Sequence, residues 1–297
     1  MWLRNLQIYK LTRFDLSYTQ LAESLADHPL TSPTGMELQR AGWLSPTGDN
    51  QPIVHQYGEQ LLIALGVDKK LLPASVINRF AKERAQEVEE QQGYKPGRKQ
   101  MKQIKEAITD ELLPRSFVQR RITRAWIDPV NMRLVIDASS VSRADDVVSA
   151  ILQCVEGIAF QPLRTSISPL GGMTDWMLSG PPFGFTLDDS CELRSTGSAG
   201  SVRYTSNAPD HEEVRKHIES GKATAKLAMT WNDRISFVLD EAMQIKRVKP
   251  LDVLTEQTYS CDDAFDADFD ADFALMTGEV AQMVGDLVEA LGGEEGQ

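Results

Sequence analysis

Between Ser75 and Leu113 the chain is built largely of strong helix formers, with many charges among sparse apolar positions. Val76, Ile77, Phe80 and Val88 mark a first stretch. Met101, Ile104, Ile108 and Leu112 then recur at the three-to-four-residue spacing that puts side chains on one helix face. Gly93-Tyr94-Lys95-Pro96-Gly97 interrupts the run, and Pro114 ends it. The pattern predicts a helical hairpin inserted between strand-forming segments.

Strand patterns flank it. Residues 2–11 alternate apolar and polar; residues 60–67 (Gln-Leu-Leu-Ile-Ala-Leu-Gly-Val) read as a buried-type strand that Asp68-Lys69-Lys70 would end. Residues 124–128 and 132–137 read as two strands joined at Pro129-Val130-Asn131, and Phe160–Leu163 as another. Further strands are expected at 201–206, 222–231, 233–239 and 243–249. Helices are expected at 17–27, 141–155, near 210–219, and from about Phe269 to Leu291. Pro33, Gly35, Pro46, Gly48 and Pro52 suggest loops around Ala41-Gly42-Trp43-Leu44. The Gly-, Pro- and Ser-rich stretch 165–200 is the best linker or boundary candidate.

Three scattered cysteines (Cys154, Cys191, Cys261) argue against a disulfide framework and for a reducing compartment. The N-terminus lacks the continuous apolar stretch of a secretory signal, and no apolar run approaches a membrane span. A cytoplasmic location without membrane contact is expected.

Net charge is −12, but it is unevenly spread. No Lys or Arg follows Lys249, and thirteen of the 43 acids lie from Pro250 onward. Residues 1–249 therefore carry 30 acids against 31 bases. A polyanion responds to local field, not to the total. The acidic C-terminal region reads either as a solvated face or as a segment for self-shielding or for a basic partner.

Catalytic and metal-ligating patterns are sparse. The four histidines have no partner at zinc spacing, and there is no CxxC, GxSxG or GxGxxG. Asp268, Asp270, Asp272 and Glu279 have the spacing of a calcium loop, yet Phe273 stands where the sharp turn needs Gly. Phe265, Phe269 and Phe273 recur every four residues, which favours an acidic helix start over a metal site. No cofactor is expected.

The strongest constellation lies between Lys95 and Arg124. Nine bases (Lys95, Arg98, Lys99, Lys102, Lys105, Arg115, Arg120, Arg121 and Arg124) face three acids, a local net charge of +6. Arg98, Lys102 and Lys105 share a helix face. Cations so placed pair with phosphates and release condensed counterions. The competing reading is a solvated helix balanced by acids such as Glu83, Glu87, Glu89 and Glu90. Phe117 could stack on or wedge between nucleobases, or form core or an oligomer contact. A second basic set comprises Arg215, Lys216, Lys222, Lys226 and Arg234. Alternation puts Lys222, Thr224 and Lys226 on one strand face, either lining a DNA channel or guarding an edge strand.

Trp2-Leu3-Arg4-Asn5-Leu6, Leu71–Ile77, Leu112–Phe117, Trp126-Ile127-Asp128, Gly221–Trp231 and Phe269–Glu279 together resemble the RdgC family of bacterial recombination-associated proteins, collinearly over essentially the whole chain. The resemblance implies an α/β protein that forms a ring-shaped homodimer. Duplex DNA would pass through its positively lined hole, bound largely without sequence preference, and RecA action would be antagonised. It implies DNA-binding roles for Lys70 and Arg115 and a dimer-gate role for Phe117. At Arg203-Tyr204-Thr205-Ser206-Asn207 the chain departs from a relative with consecutive lysines, leaving Arg203 as the remaining base.

The expected fold is thus mixed α+β, with antiparallel sheets, packed helices and the inserted hairpin. The expected units are a central α/β domain (1–72 with 116–164), a helical tip (73–115) and a second α/β domain (165–297) ending in the acidic helix. The candidate DNA-binding residues are Lys70, Arg98, Lys99, Lys102, Lys105, Arg115, Arg120, Arg121, Arg124, Arg203, Lys222 and Lys226. The expected partners are double-stranded and single-stranded DNA and a second copy, with a nucleoid-associated location. The alternatives are a protein-interaction module acting through the acidic C-terminal region, and a metal-dependent nuclease using the 266–272 acids.

Overall fold

A computed structural model describes residues 1–195, 200–205, 211–255 and 265–295. The elements run β1 (Leu6–Phe14), α1 (Tyr18–Ala26), β2 (Gln39–Leu44), β3 (Val54–Tyr57), β4 (Gln60–Leu71), α2 (Ala74–Gln92) and α3 (Arg98–Leu112). A 3-10 turn (Leu113–Arg115) leads to β5 (Phe117–Asp128), β6 (Arg133–Asp137), α4 (Val141–Cys154) and β7 (Ile158–Pro162). Then come α5 (Pro169–Ser179), β8 (Phe185–Ser195), β9 (Ser201–Tyr204), α6 (His211–Glu219) and β10 (Lys222–Trp231). β11 (Ile235–Asp240), β12 (Ile245–Pro250), α7 (Asp252–Thr255) and α8 (Phe265–Ala290) complete the chain.

The strands form one 12-stranded sheet, ordered β2-β4-β5-β6-β1-β12-β11-β10-β8-β9, with β3 also on β4 and β7 also on β1. Every strand pairing in it is antiparallel. The expectation of separate sheets is corrected: β1 joins both halves. One edge of β1 pairs with β6. The other is shared, with Leu6 opposite Ile245 of β12 and Tyr9–Phe14 along β7.

Two hydrophobic cores lie on opposite faces. α1 and α4 contribute Leu21, Leu25, Val147 and Ile151 to one; α5 and α8 contribute Met173, Trp176, Phe273 and Met283 to the other. The central strands feed both, because successive side chains alternate across a sheet. In β4, Leu62 enters the α8 core while Leu61, Ile63, Leu65 and Val67 enter the α1–α4 core. That is why 61–67 reads as an unbroken apolar run.

Local chemistry sets the ends. Ser17 and Gln20 form a reciprocal capping box at α1. α2 stops where Gly93 takes a positive φ of 79°. Asp128 closes the β5–β6 turn, its carboxylate accepting from the Val130 and Asn131 amides at 3.1 Å and from Asn131 Nδ2 at 2.7 Å.

The inserted hairpin is present: α2 and α3 leave and rejoin the sheet at the ends of the β4–β5 ribbon, where Leu71 opposes Phe117. The loops expected around Ala41–Leu44 are present, and the segment between them is β2. Opposed Gly42 and Gly66 leave room for Leu30, since a Cβ on Gly42 would lie 2.5 Å from the Leu30 backbone. Other expectations are corrected. The presumed linker 165–200 holds α5 and β8. Its Gly172 serves close packing, because a Cβ there would meet Leu291 at 2.5 Å. β4 runs through Asp68-Lys69-Lys70 to Leu71, and β5 begins at Phe117 rather than 124, because the charges within the ribbon find partners.

Candidate nucleic-acid interface

The hairpin supplies a group of exposed cations. Arg98, Lys99, Lys102 and Lys105 are all exposed on α3. Among the described residues, the ion pair made by an α3 cation is Lys102 with Glu106, at 3.6 Å. Two of the α2 acids named as balance pair within α2 instead, Glu83 with Arg79 and Glu87 with Arg84. Lys102 and Lys105 line the groove between the two helices together with Ile77, Asn78 and Thr109 and with the acids Glu106 and Asp110. Arg115 is exposed at the end of the 3-10 turn. Phe117 follows with 85% of its surface exposed, so its reading as a core residue is excluded for this chain alone.

The arginines of β5 divide by strand alternation. Arg120 and Arg124 share one face, and Arg121 points to the other, 3.2 Å from Asp146 of α4. Arg120 makes a two-point contact with Asp68, Nε to Oδ1 and Nη2 to Oδ2, both 2.9 Å. Asp68 is only 2% exposed, so this fork satisfies a buried carboxylate and raises the Arg120 pKa, chiefly through that hydrogen bond. Arg124 Nε donates to the Pro46 carbonyl at 3.2 Å. Lys70 is buried; its Nζ donates to the Thr34 and Gly35 carbonyls at 3.0 and 2.6 Å. In this arrangement Lys70 staples the loop before β2 and offers no exposed ammonium.

The second basic set is reorganised by a bulge. Thr224 opposes Leu193 and Lys226 opposes Glu192, so Ala225 is an extra residue in β10. The shared face expected for Lys222, Thr224 and Lys226 is therefore corrected: Lys226 turns to the opposite side from Thr224. Thr224 is buried against α5, its amide donating to Thr174 Oγ1 at 2.9 Å. Lys222 lies near α6, 3.3 Å from His217 Nδ1 and 3.1 Å from Ser220 Oγ. β10 lies between β11 and β8, which removes the edge-strand reading too.

On the other face, Lys226 and Arg203, both expected to bind DNA, meet Glu192 and Arg194, which the sequence had not singled out. Glu192 receives Lys226 at 2.8 Å, Arg203 at 2.9 Å and Arg194 at 3.3 Å. Hydrogen bonds from Lys226 and Arg203 hold the Glu192 pKa down at about 2. Lys246 and Arg247 border the same concavity of about 270 Å³. A usable signal was the alternation Cys191-Glu192-Leu193-Arg194 in β8. Ser206 and Asn207, part of the departure at Arg203, lie outside the described residues.

Arg215 and Lys216 border a separate cleft between α5 and α6, and Arg234 pairs with Glu279 of α8 at 2.5 Å. The C-terminal acids are partly consumed in such contacts. Asp272 pairs with the N-terminal amine, Asp270 Oδ1 lies 3.1 Å from His55 Nε2, Asp286 accepts from Trp231 Nε1 at 2.7 Å, and Glu294 pairs with Lys10. α8 starts at Phe265, as an acidic helix start would. The side chains of Asp266 and Asp268 lie outside the described residues. Among the described residues no group of three or more His, Cys, Asp or Glu could hold a metal ion. No described helix is long and apolar enough to cross a membrane.

Fold and surface thus define a mixed α+β protein with a cation-bearing helical hairpin and a second cation cluster on its sheet. Comparison with known proteins identifies its kind. Residues 1–294 match the family model described as "Putative exonuclease, RdgC". The chain is 49% identical over 297 residues to the recombination-associated protein RdgC of Cupriavidus pinatubonensis, covering 99% of each chain. It is 48% identical to that of Janthinobacterium sp. (strain Marseille) over 297 residues, and 47% identical to that of Bordetella pertussis over 298, again covering 99% of both chains. The chain belongs to the RdgC family.

Proposed function

We propose that this protein binds DNA through its backbone, with little sequence preference, and acts in recombination without being an enzyme. The observation that carries the reading is the exposed row Arg98, Lys99, Lys102 and Lys105, within a chain of net charge −12. Such cations neutralise phosphates and release counterions, a gain that depends on phosphate spacing and hardly on bases. The family and its relatives' name, recombination-associated protein RdgC, support the biological setting.

The finer reading is a homodimeric ring around duplex DNA, with single strands also bound, in the cytoplasm at the nucleoid. The ring is taken to be built from the three units 1–72 with 116–164, 73–115 and 165–297. Acidic surface outside and basic surface inside would let a negative protein hold DNA where it is enclosed. A coated duplex would then obstruct RecA without direct contact. Exposed Phe117 is the proposed gate contact between copies.

A salt titration on linear duplex DNA, ends free or blocked, tests this. Log-linear weakening with salt and slower dissociation from blocked ends are expected, with Phe117→Ala abolishing the difference between ends. Absence of binding at low salt overturns the reading. The family description favours one second reading, an exonuclease. Release of nucleotides from DNA ends with magnesium or manganese would establish it. The protein-interaction alternative through a separable acidic tail is weakened by the packing of α8 into the core.

A further inference from the structure

We propose that Glu192 is a positioning residue: its buried carboxylate gathers Arg194, Arg203 and Lys226 into one site for a phosphate group of DNA. The proposal deepens the DNA-binding reading above and rests on it.

The three cations come from three strands, β8, β9 and β10, and meet at a single acid. Glu192 is 7% exposed, while the Arg203 side chain is 66% exposed and that of Arg194 47%. The acid therefore sits beneath and the guanidinium groups face outward. Lys226 reaches this face only because of the bulge at Ala225. One carboxylate cannot neutralise three cations. The neighbouring acids are also engaged: Asp240 pairs with Lys246 at 2.8 Å, and Glu241 with Arg194 at 2.5 Å. With Arg247, five of the described cations face three of the described acids, which leaves two positive charges among the described residues around the concavity.

Long cationic side chains lose rotamer freedom when they clamp an anion. A carboxylate that already holds them removes part of that cost, as donors fixed in advance do in any anion site. The carboxylate is held ionised, with its pKa at about 2, so the arrangement persists throughout the neutral range. A simple counter-charge would act in the opposite sense, by cancelling field and weakening phosphate attraction. The two roles therefore predict opposite signs for the same substitution.

The test uses the full chain and fluorescently labelled duplex DNA, with affinity measured across a salt series and folding followed by thermal melting. Glu192→Gln is expected to bind roughly fivefold more weakly, with the salt slope reduced by about one. Glu192→Asp, which restores the charge, is expected to recover most of the affinity. Glu192→Gln binding as tightly as wild type or more tightly, with an unchanged or steeper slope, overturns the positioning role. Should Glu192→Gln fold poorly, Arg203→Gln at the exposed guanidinium and Lys226→Gln at the half-buried ammonium decide: an unchanged slope in both overturns the proposal. Wild-type protein that shows no salt-dependent binding sinks the DNA-binding reading itself. Wild-type binding together with indifferent Glu192 variants sinks this inference alone.

Discussion

At the residue scale, two acids set the behaviour of the cations around them. Asp68 is almost wholly buried, and Arg120 is the partner that satisfies it at both oxygens. Removing the arginine would strand a buried charge, whereas removing the acid frees an arginine already half in water. Arg120→Ala is expected to cost about 1–3 kcal/mol in urea unfolding, and adding Asp68→Asn to that background should recover part of the loss. Glu192 gives a pH signature. Its folded pKa lies below its ordinary value, so its stabilisation is complete above about pH 4.5 and lost as pH falls toward about 2. The melting-temperature difference between wild type and Glu192→Gln is expected to be constant from pH 7 to about 5 and to vanish in strong acid. A difference that grows on acidification would contradict this.

At the element scale, close approach and packing decide more than composition does. Gly42→Ala would push a methyl into the backbone of Leu30 and Pro29. Backbone yields less than a side-chain tip, so the expected loss is about 3 kcal/mol, at the upper end of overpacking costs. α8 looks in sequence like an acidic tail, yet Phe273, Met276, Val280, Met283 and Leu287 are buried in the core beneath the sheet. Deleting residues 265–297 is expected to abolish cooperative unfolding rather than yield a folded, trimmed protein, as near-UV circular dichroism would report. A stable deletion product with intact DNA affinity would restore the separable-tail reading. The hairpin has a small interior of its own: Ala81, Ala85 and Ile108 are its buried helical residues. Its surface is therefore free to carry charge, and exposed substitutions on it should leave the fold intact.

At the scale of the whole molecule, the hairpin row and the Glu192 cluster lie far apart in sequence, on different parts of one continuous sheet structure. Replacing Arg98, Lys99, Lys102 and Lys105 together by Gln should lower the salt slope by up to about four. Stability should change by no more than about 0.5 kcal/mol per site. Loss of slope equal for specific and random sequences would mark backbone contact; sequence-selective loss would indicate base readout instead.

Much of this was legible along the chain. The hairpin, the final run of strands and the amphipathic α4 show themselves through periodicity, because burial on one face leaves a local pattern. The exposed cations of α3 show themselves through local charge density. What the chain alone could not reveal depends on partners distant in sequence. Asp68 and Lys70 read as a strand end because their burial is tolerable only once Arg120 and the Thr34 and Gly35 carbonyls are in place. Gly172 reads as part of a linker because the neighbour it accommodates, Leu291, meets it only in the fold, and the close approach of Leu30 to Gly42 is invisible along the chain for the same reason. The face of Lys226 depended on one bulged residue, since a single insertion inverts every side chain beyond it. Sequence by itself thus determined the helical insertion and the charge asymmetry, both local properties. Tertiary structure alone decided which charges are spent inside the molecule and which face outward, because that depends on pairing across the sheet.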